Sequence, residues 1–174
     1  MVVRHITVLG VALCILVLRS PAFAQLALPS NLHVAPMYQN FVASMADRSA
    51  TFDAQLQCIA SAEGVTVYLE VVPHVIGARA RTRMVRDLDE LTAWIEVDRL
   101  ENLVELIAHE IEHVLEQIER ISLTEGARMA ETGIYSVSVD GTAFETARAT
   151  RAGVRVAREV ARSQEQDPAY VLVQ

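Results

Sequence analysis

The sequence predicts an α+β fold, a small domain in which a short mixed or antiparallel sheet packs on one central helix and on a C-terminal helix. Three observations carry this prediction. Residues 65–72 (Val-Thr-Val-Tyr-Leu-Glu-Val-Val) and 91–97 (Leu-Thr-Ala-Trp-Ile-Glu-Val) are dense in β-branched and aromatic side chains and end at Pro73 and Asp98, the composition and punctuation of strands. A run from about residue 99 to 120 repeats apolar residues at helical spacing. A second run, from about 142 to 163, does so again, with Arg148, Arg151, Arg155, Arg158 and Arg162 gathered in a separate stripe that reads as a solvated or partner-facing side.

Taken in order, residues 25–36 are rich in Pro, Ser and Asn and read as a linker into a single domain at 37–174. Phe41, Met45, Phe52, Leu56 and Ile59 then recur at helical spacings, with a break expected at residues 47–49. Cys58 falls in that series and reads as a small buried hydrophobe. After the first strand, His74, Gly77, Arg79, Arg81, Arg83 and Arg86 read as a basic loop. Asp98 is a suitable N-cap for the central helix, and Ser122-x-x-Glu125 is a capping box for a shorter one stopped by Gly133. Residues 134–139 alternate and predict a short strand, turned by Asp140-Gly141 into the last helix. From Gln164 the tail is polar until residues 170–173.

The start of the chain reads differently. Arg4 and His5 precede thirteen uncharged residues, 6–18, and Ala22-Phe23-Ala24 offers a small-x-small exit. This describes a secretory signal peptide over 1–24, so a periplasmic or secreted location is expected. The apolar run is shorter than the roughly 20 residues a spanning helix needs, so no stable membrane insertion is expected after cleavage. Cleavage would take the net charge from −7 to −9, and so acidic a chain repels phosphate backbones, which argues against nucleic acid as a partner. Cys14 falls in the leader, leaving Cys58 with no intramolecular disulfide partner.

The central helix carries His109-Glu110-Ile111-Glu112-His113, an H-E-x-x-H. Two imidazoles one turn apart can ligate zinc (Zn2+), and the carboxylate beside the first can act as general base on a metal-activated water. At 100° per residue, Leu100, Leu103, Val104, Ile107, Ile111, Val114, Leu115 and Ile118 fall within about 60° of one line, while His109 and His113 point roughly 180° and 220° away from it. The helix is thus expected to anchor by one face and offer the histidine pair on the other. Glu101, Glu105, Glu112, Glu116 and Glu119 make the competing reading, two histidines on an acidic solvated face, a serious one.

This motif, on a helix that follows an extended segment at 91–97, resembles the zincin superfamily of metallopeptidases. The resemblance covers about 75 residues, from Leu91 to the final helix. It implies a zincin-like domain with His109 and His113 as zinc ligands, Glu110 as general base and proton shuttle, and residues 91–96 as an edge that pairs with a peptide or protein substrate. Glu112 departs from the pattern, because zincins usually keep the two positions before the second histidine uncharged.

A catalytic zinc takes three protein ligands and leaves one position open. No histidine follows His113, so the third ligand must be a carboxylate, which resembles the gluzincin branch. The candidates are Glu125, Glu131, Asp140, Glu145 and Glu159. Glu145 is preferred, because it shares an inward helical face with Ala149, Ala152 and Val156 and so needs a partner. Against it, Thr142-x-x-Glu145 is itself a capping box; Glu131, close to a helix end, is the next choice. Tyr135, His74 and Arg148 are candidate oxyanion donors. Trp94 reads as core packing in preference to substrate stacking.

Two other function classes compete. A di-iron helical bundle matches Glu110-x-x-His113 but needs a second Glu-x-x-His, which the five histidines do not supply. A non-catalytic exported metal-binding or protein-interaction domain would keep the histidines without turnover. The favoured reading is an exported zinc metallopeptidase.

Overall fold

The computed structural model describes residues 27–99 and 102–166; the expected leader and the apolar end of the tail lie outside them. Among the described residues the chain is α+β, with five helices, a mixed four-stranded sheet and a small antiparallel one. No helix among them is long and apolar enough to cross a membrane.

The expected linker is not a loop throughout. Leu32–Val34 form β1, parallel to β2 (Val65–Val72), because Leu32 and Val34 bury themselves in the core while Asn31 donates to the carbonyls of Ile59 and Val65. Between them run α1 (Pro36–Arg48) and α2 (Ala50–Ser61). The break falls where expected, at Ser49, whose hydroxyl caps α2 by accepting from Phe52 N–H at 3.1 Å. Cys58 is exposed, contrary to expectation: Phe52, Gln55, Leu56 and Ile59 fill the inward face of α2 and turn position 58 outward. Gly64 leads into β2 with φ of 66°, and a Cβ there would meet the Asp89 carbonyl oxygen at 2.8 Å, so both backbone freedom and space select glycine.

The four-stranded sheet has the order β1-β2-β4-β3, in which β3 is Ala80–Asp87 and β4 is Glu90–Asp98. β4 runs parallel to β2 and antiparallel to β3. Two expectations change here. The arginine-rich loop is largely a strand, because alternation puts Thr82 and Met84 toward the helices while Arg81 pairs with Glu96 and Arg83 lies 5.3 Å over the Trp94 ring. Residues 91–97, expected to be the edge, are paired on both sides, and β3 is the edge instead.

Period-two burial places Val65, Val67, Leu69, Leu91, Ala93, Ile95 and Val97 against the helices. The opposite face carries a cross-strand row in which His33 stacks on Tyr68 at 4.9 Å and Tyr68 on Trp94 at 6.2 Å. Trp94 is therefore a sheet-surface residue and not part of the core: the alternation that buries Ala93 and Ile95 turns it outward.

After β4 the central helix α3 (Leu103–Ile118) starts at Asn102 and not at Asp98, because Asp98 N–H is held by the Arg79 carbonyl and Arg99 N–H by that of Val72, which keeps the chain extended. A short α4 (Leu123–Gly126) follows, with Ser122 Oγ accepting from Glu125 N–H. β5 (Ile134–Ser136) and β6 (Phe144–Thr146) pair as a hairpin, and α5 (Ala147–Glu165) closes the described fold. The last helix starts later than expected. Thr142 N–H is taken by Ser138 Oγ and Asp140 Oδ1 within the turn, residues 144–146 pair with β5, and Thr146 becomes the N-cap, accepting from Ala149 N–H at 2.9 Å.

Buried Ala149, Gly153, Val156 and Val160 pack α5 on the rest, and Arg151, Arg155, Arg158 and Arg162 are exposed. Glu159 reaches from α5 to the start of α2, accepting from Ser49 Oγ (2.6 Å), Thr51 N–H (3.0 Å) and Thr51 Oγ1 (2.8 Å). Burial pushes its pKa up, but the bonds from Ser49 and Thr51 outweigh that and hold it below the usual carboxylate value. A group with a lowered folded pKa stabilises above its unfolded pKa and loses that contribution as pH falls through the folded value. Glu159→Gln should therefore cost about 1.5 kcal/mol near neutrality, the low end for hydrogen bonds to charged groups. Urea melts of both proteins should converge as the pH is lowered below about 4; a difference independent of pH would remove the charge as the cause.

Candidate metal centre

α3 is buried on both faces. Leu106, Ile107, Ala108, Ile111, Val114 and Leu115 join the core, and Glu110, Glu112, His113 and Glu116 are buried as well. The competing reading, a solvated acidic face, does not hold: Thr146 of β6 and Arg148 of α5 reach Glu116 and Glu112 on the histidine side of α3, and both carboxylates are buried. Buried charges are tolerated when each is paired and hydrogen-bonded, and every carboxylate here has partners. Glu110 accepts from Thr82 Oγ1 at 2.6 Å, Glu112 from Gln55 Nε2 and from Arg148 Nε at 2.6 Å, and Glu116 from Thr146 Oγ1 at 2.6 Å.

Three ligand-type atoms converge beside this helix. His109 Nε2 lies 3.0 Å and His113 Nε2 3.8 Å from Glu145 Oε2, and the two imidazole nitrogens are 3.2 Å apart. Bonds of about 2.05 Å at tetrahedral angles put ligand atoms roughly 3.3 Å from one another, and the three separations bracket that value. His109, His113 and Glu145 therefore form a group that can hold a metal ion. Two imidazole nitrogens aimed at one point need a proton or a cation between them.

Glu145 takes this place from a strand, contrary to the helical position expected. It sits in β6, one residue before the α5 cap, and the end of the hairpin turns its carboxylate toward the histidines. The hydrogen bond with His109, then that with His113, hold its pKa down to about 2. For His113, burial alone would lower the pKa; the hydrogen bonds to Glu116 and Glu145, with the charges of Glu110 and Glu116, outweigh it and raise it to about 10. Burial raises the pKa of Glu110, against the Thr82 hydrogen bond and the two histidines.

The other acidic candidates are elsewhere. Glu159 caps α2, Asp140 organises the hairpin turn through Thr142, Glu125 is exposed on α4, and Glu131 is exposed in a turn with φ of 72°. Among the proposed oxyanion donors, Arg148 is held by Glu112 and Glu119, His74 Nδ1 lies 3.2 Å from Asp98 Oδ2, and Tyr135 sits directly across the hairpin from Glu145. Glu112, the departure from the zincin pattern, points to Gln55 and Arg148, so it fastens α3 to α2 and α5 and stays out of the ligand group.

Glu116, Thr82, Thr146 and Gly153 were not anticipated. His113 Nδ1 faces Glu116 Oε2 at 2.9 Å, an arrangement that keeps the Nδ1 proton in place and makes Nε2 the nitrogen that gives up its proton to a bound cation. The other Glu116 oxygen takes Thr146 Oγ1–H, so one hydroxyl both caps α5 and steadies the carboxylate behind His113. The i,i+3 spacing of His113 and Glu116 was readable in the sequence; the Thr82 and Thr146 contacts cross between elements and were not. Gly153 lets α5 approach α3, since a Cβ there would meet the Glu105 carbonyl oxygen at 2.7 Å and His109 Cβ at 3.2 Å.

A cleft of about 900 Å³ opens on this group. Residues 80–84 of β3 form one wall, residues 142–145 the other, and Glu110, His113 and Gln117 lie between them. The volume is near the upper end of the range for small-molecule sites. No family model, curated protein or solved structure matches this chain.

Glu116→Ala should weaken metal affinity about 10- to 100-fold with the ligands intact, read by competition with a chromogenic chelator; unchanged affinity would dissociate Glu116 from the site. Gly153→Ala should cost about 1–3 kcal/mol by overpacking, seen as a lower urea midpoint at unchanged slope.

Proposed function

We propose that this protein is an exported zinc-dependent peptidase. The observation that carries the reading is the convergence of His109, His113 and Glu145 on one point, with the Glu110 carboxylate buried beside them in an open cleft. Two imidazoles and one carboxylate are a ligand set that suits zinc, and three protein ligands rather than four characterise catalytic sites. The basic and apolar start of the chain supports export.

A zinc ion bound there supplies Lewis-acid polarisation of a carbonyl and acidifies water. Glu110 would take the proton from the water as its oxygen bonds to the carbonyl carbon, and would then give that proton to the amide nitrogen, so that the C–N bond breaks in the second step and the amine leaves neutral. Thr82 holds one oxygen of Glu110 and so orients the base from the edge strand. Glu116 holds His113 in the ligating tautomer. Among the described residues no strand pairs with the outer edge of β3, which offers alternating N–H and C=O groups to an extended peptide, the role first expected of residues 91–96.

Glu110→Gln tests the reading. The variant should keep one zinc per chain by elemental analysis and lose about 10²- to 10⁴-fold in hydrolysis of a broad peptide library. Activity equal to the wild type would remove Glu110 from the chemistry, and protein prepared without added metal that carries no zinc would favour a non-catalytic interaction domain.

A further inference from the structure

We infer that α5 docks the protein on an anionic lipid bilayer through Arg151, Arg155, Arg158 and Arg162, which holds the metal group on the far side of that helix from the membrane. The inference does not rest on the peptidase reading, since none of the four residues lines the cleft.

These guanidinium groups lack carboxylate partners in a chain that has acid to spare. Acidic residues outnumber basic ones 22 to 15, and elsewhere arginines are paired: Arg148 with Glu112 and Glu119, Arg81 with Glu96, Arg120 with Asp89. The acidic residues of α5 itself are Glu159 and Glu165, and Glu159 is turned to Ser49 and Thr51. Among the described residues no carboxylate lies in ion-pair contact with any of the four arginines. Their spacing, 151, 155, 158 and 162, makes three neighbouring pairs of like charge at i,i+4 or i,i+3, each of which destabilises a helix. A merely solvated face is better served by mixed signs. A row of one sign that the fold leaves uncompensated calls for an anionic partner.

Geometry matches the row to a flat surface. At 100° per residue the four positions fall within about 30° of one line, and at 1.5 Å per residue they span about 16 Å. All four are exposed. Gly153, which faces Glu105 and His109, lies two residues from both Arg151 and Arg155 and so about 200° round the helix from each. The row therefore points away from α3 and the metal group.

Its flank favours lipid over other anions. Ala147, Val154 and Ala161 border the row on one side, with no aromatic side chain among them. A protein partner is ordinarily gripped by aromatic or large apolar anchors, and a nucleic acid by polar side chains that reach its bases; this face offers neither. Fluid lipid phosphates need no such contacts, because they rearrange to meet each guanidinium and accept its paired hydrogen bonds. The net charge of −7 does not oppose this. At physiological ionic strength screening limits the reach of a charged surface to about 8 Å, less than the width of one helix, so the bilayer meets the row and little else.

The test is co-sedimentation of the protein from Gln25 onward, which holds the whole described fold, with phosphatidylcholine vesicles with and without about 30% phosphatidylglycerol. Partitioning should be on the order of 100-fold stronger on the anionic vesicles and should fall to the neutral value in about 1 M salt. Arg158→Gln should weaken it about fivefold, whereas Arg128→Gln, which removes an exposed arginine beyond α4 with the same change in net charge, should leave it unaltered. The quadruple variant R151Q/R155Q/R158Q/R162Q should bind both vesicles alike and melt no lower than wild type, because the like-charge pairs are gone. Equal binding of wild type to both vesicles, anionic preference retained in the quadruple variant, or equal losses from Arg128→Gln and Arg158→Gln would overturn the proposal. So would preference for polyglutamate or duplex DNA over vesicles of equal total charge, which would assign the row to a protein or nucleic-acid partner instead.

Discussion

The structure depends on one constraint, that α3 is buried on both sides although four of its ten buried residues, Glu110, Glu112, His113 and Glu116, are ionisable. An apolar face against the sheet is ordinary. The other face holds Glu110, Glu112, His113 and Glu116 out of water, and each of these requires a partner from another element. Thr82 comes from β3, Gln55 from α2, Arg148 and Thr146 from the start of α5. The positions of these elements around α3 are therefore specified by polar matching as well as by apolar packing. Losing one member of such a set leaves its partner buried and unpaired, which costs more than the intact interaction contributes.

The junction between β6 and α5 concentrates this dependence. Within four residues it supplies Glu145 to the ligand group, Thr146 to Glu116 and to the helix cap, and Arg148 to Glu112 and Glu119. Gly153, two turns further on, sets how closely α5 can approach His109. The ligand group and the helix packing are thus consequences of the same contacts. Any change that shifts α5 along α3 moves the Glu145 carboxylate against two histidines, and the separations of 3.0 and 3.8 Å have little room to absorb it.

The sheet contributes an edge. With β4 enclosed between β2 and β3, the strand that borders the cleft is the arginine-rich one, and its two faces do different work. Thr82 and Met84 address α3 and the cleft, while Arg81 and Arg83 are spent on Glu96 and Trp94 outside. Charged side chains on an edge strand also discourage pairing with a second sheet.

Much of this was legible in local pattern. The α+β class, the break at Ser49, strands 65–72 and 91–97 and the helix around His109 and His113 all follow from periodicity and caps, and the absence of later histidines left only a carboxylate as third member of the group; the helical face on which Glu145 was preferred is a strand instead. What failed was of another kind. Asp98 and Thr142 have the chemistry of caps but are held by strand and turn hydrogen bonds, and Cys58 and Trp94 are apolar yet face outward because their neighbours fill the interior. The sequence by itself determined which residues have metal-binding chemistry and which two share a helix face, since one turn of helix brings i and i+4 together wherever the helix sits. Tertiary structure decided which carboxylate meets them, which strand becomes the edge, and that Glu112 looks away from the site. Those outcomes are set by which elements become neighbours, and desolvation of α3 makes each neighbour's hydrogen-bonding groups count.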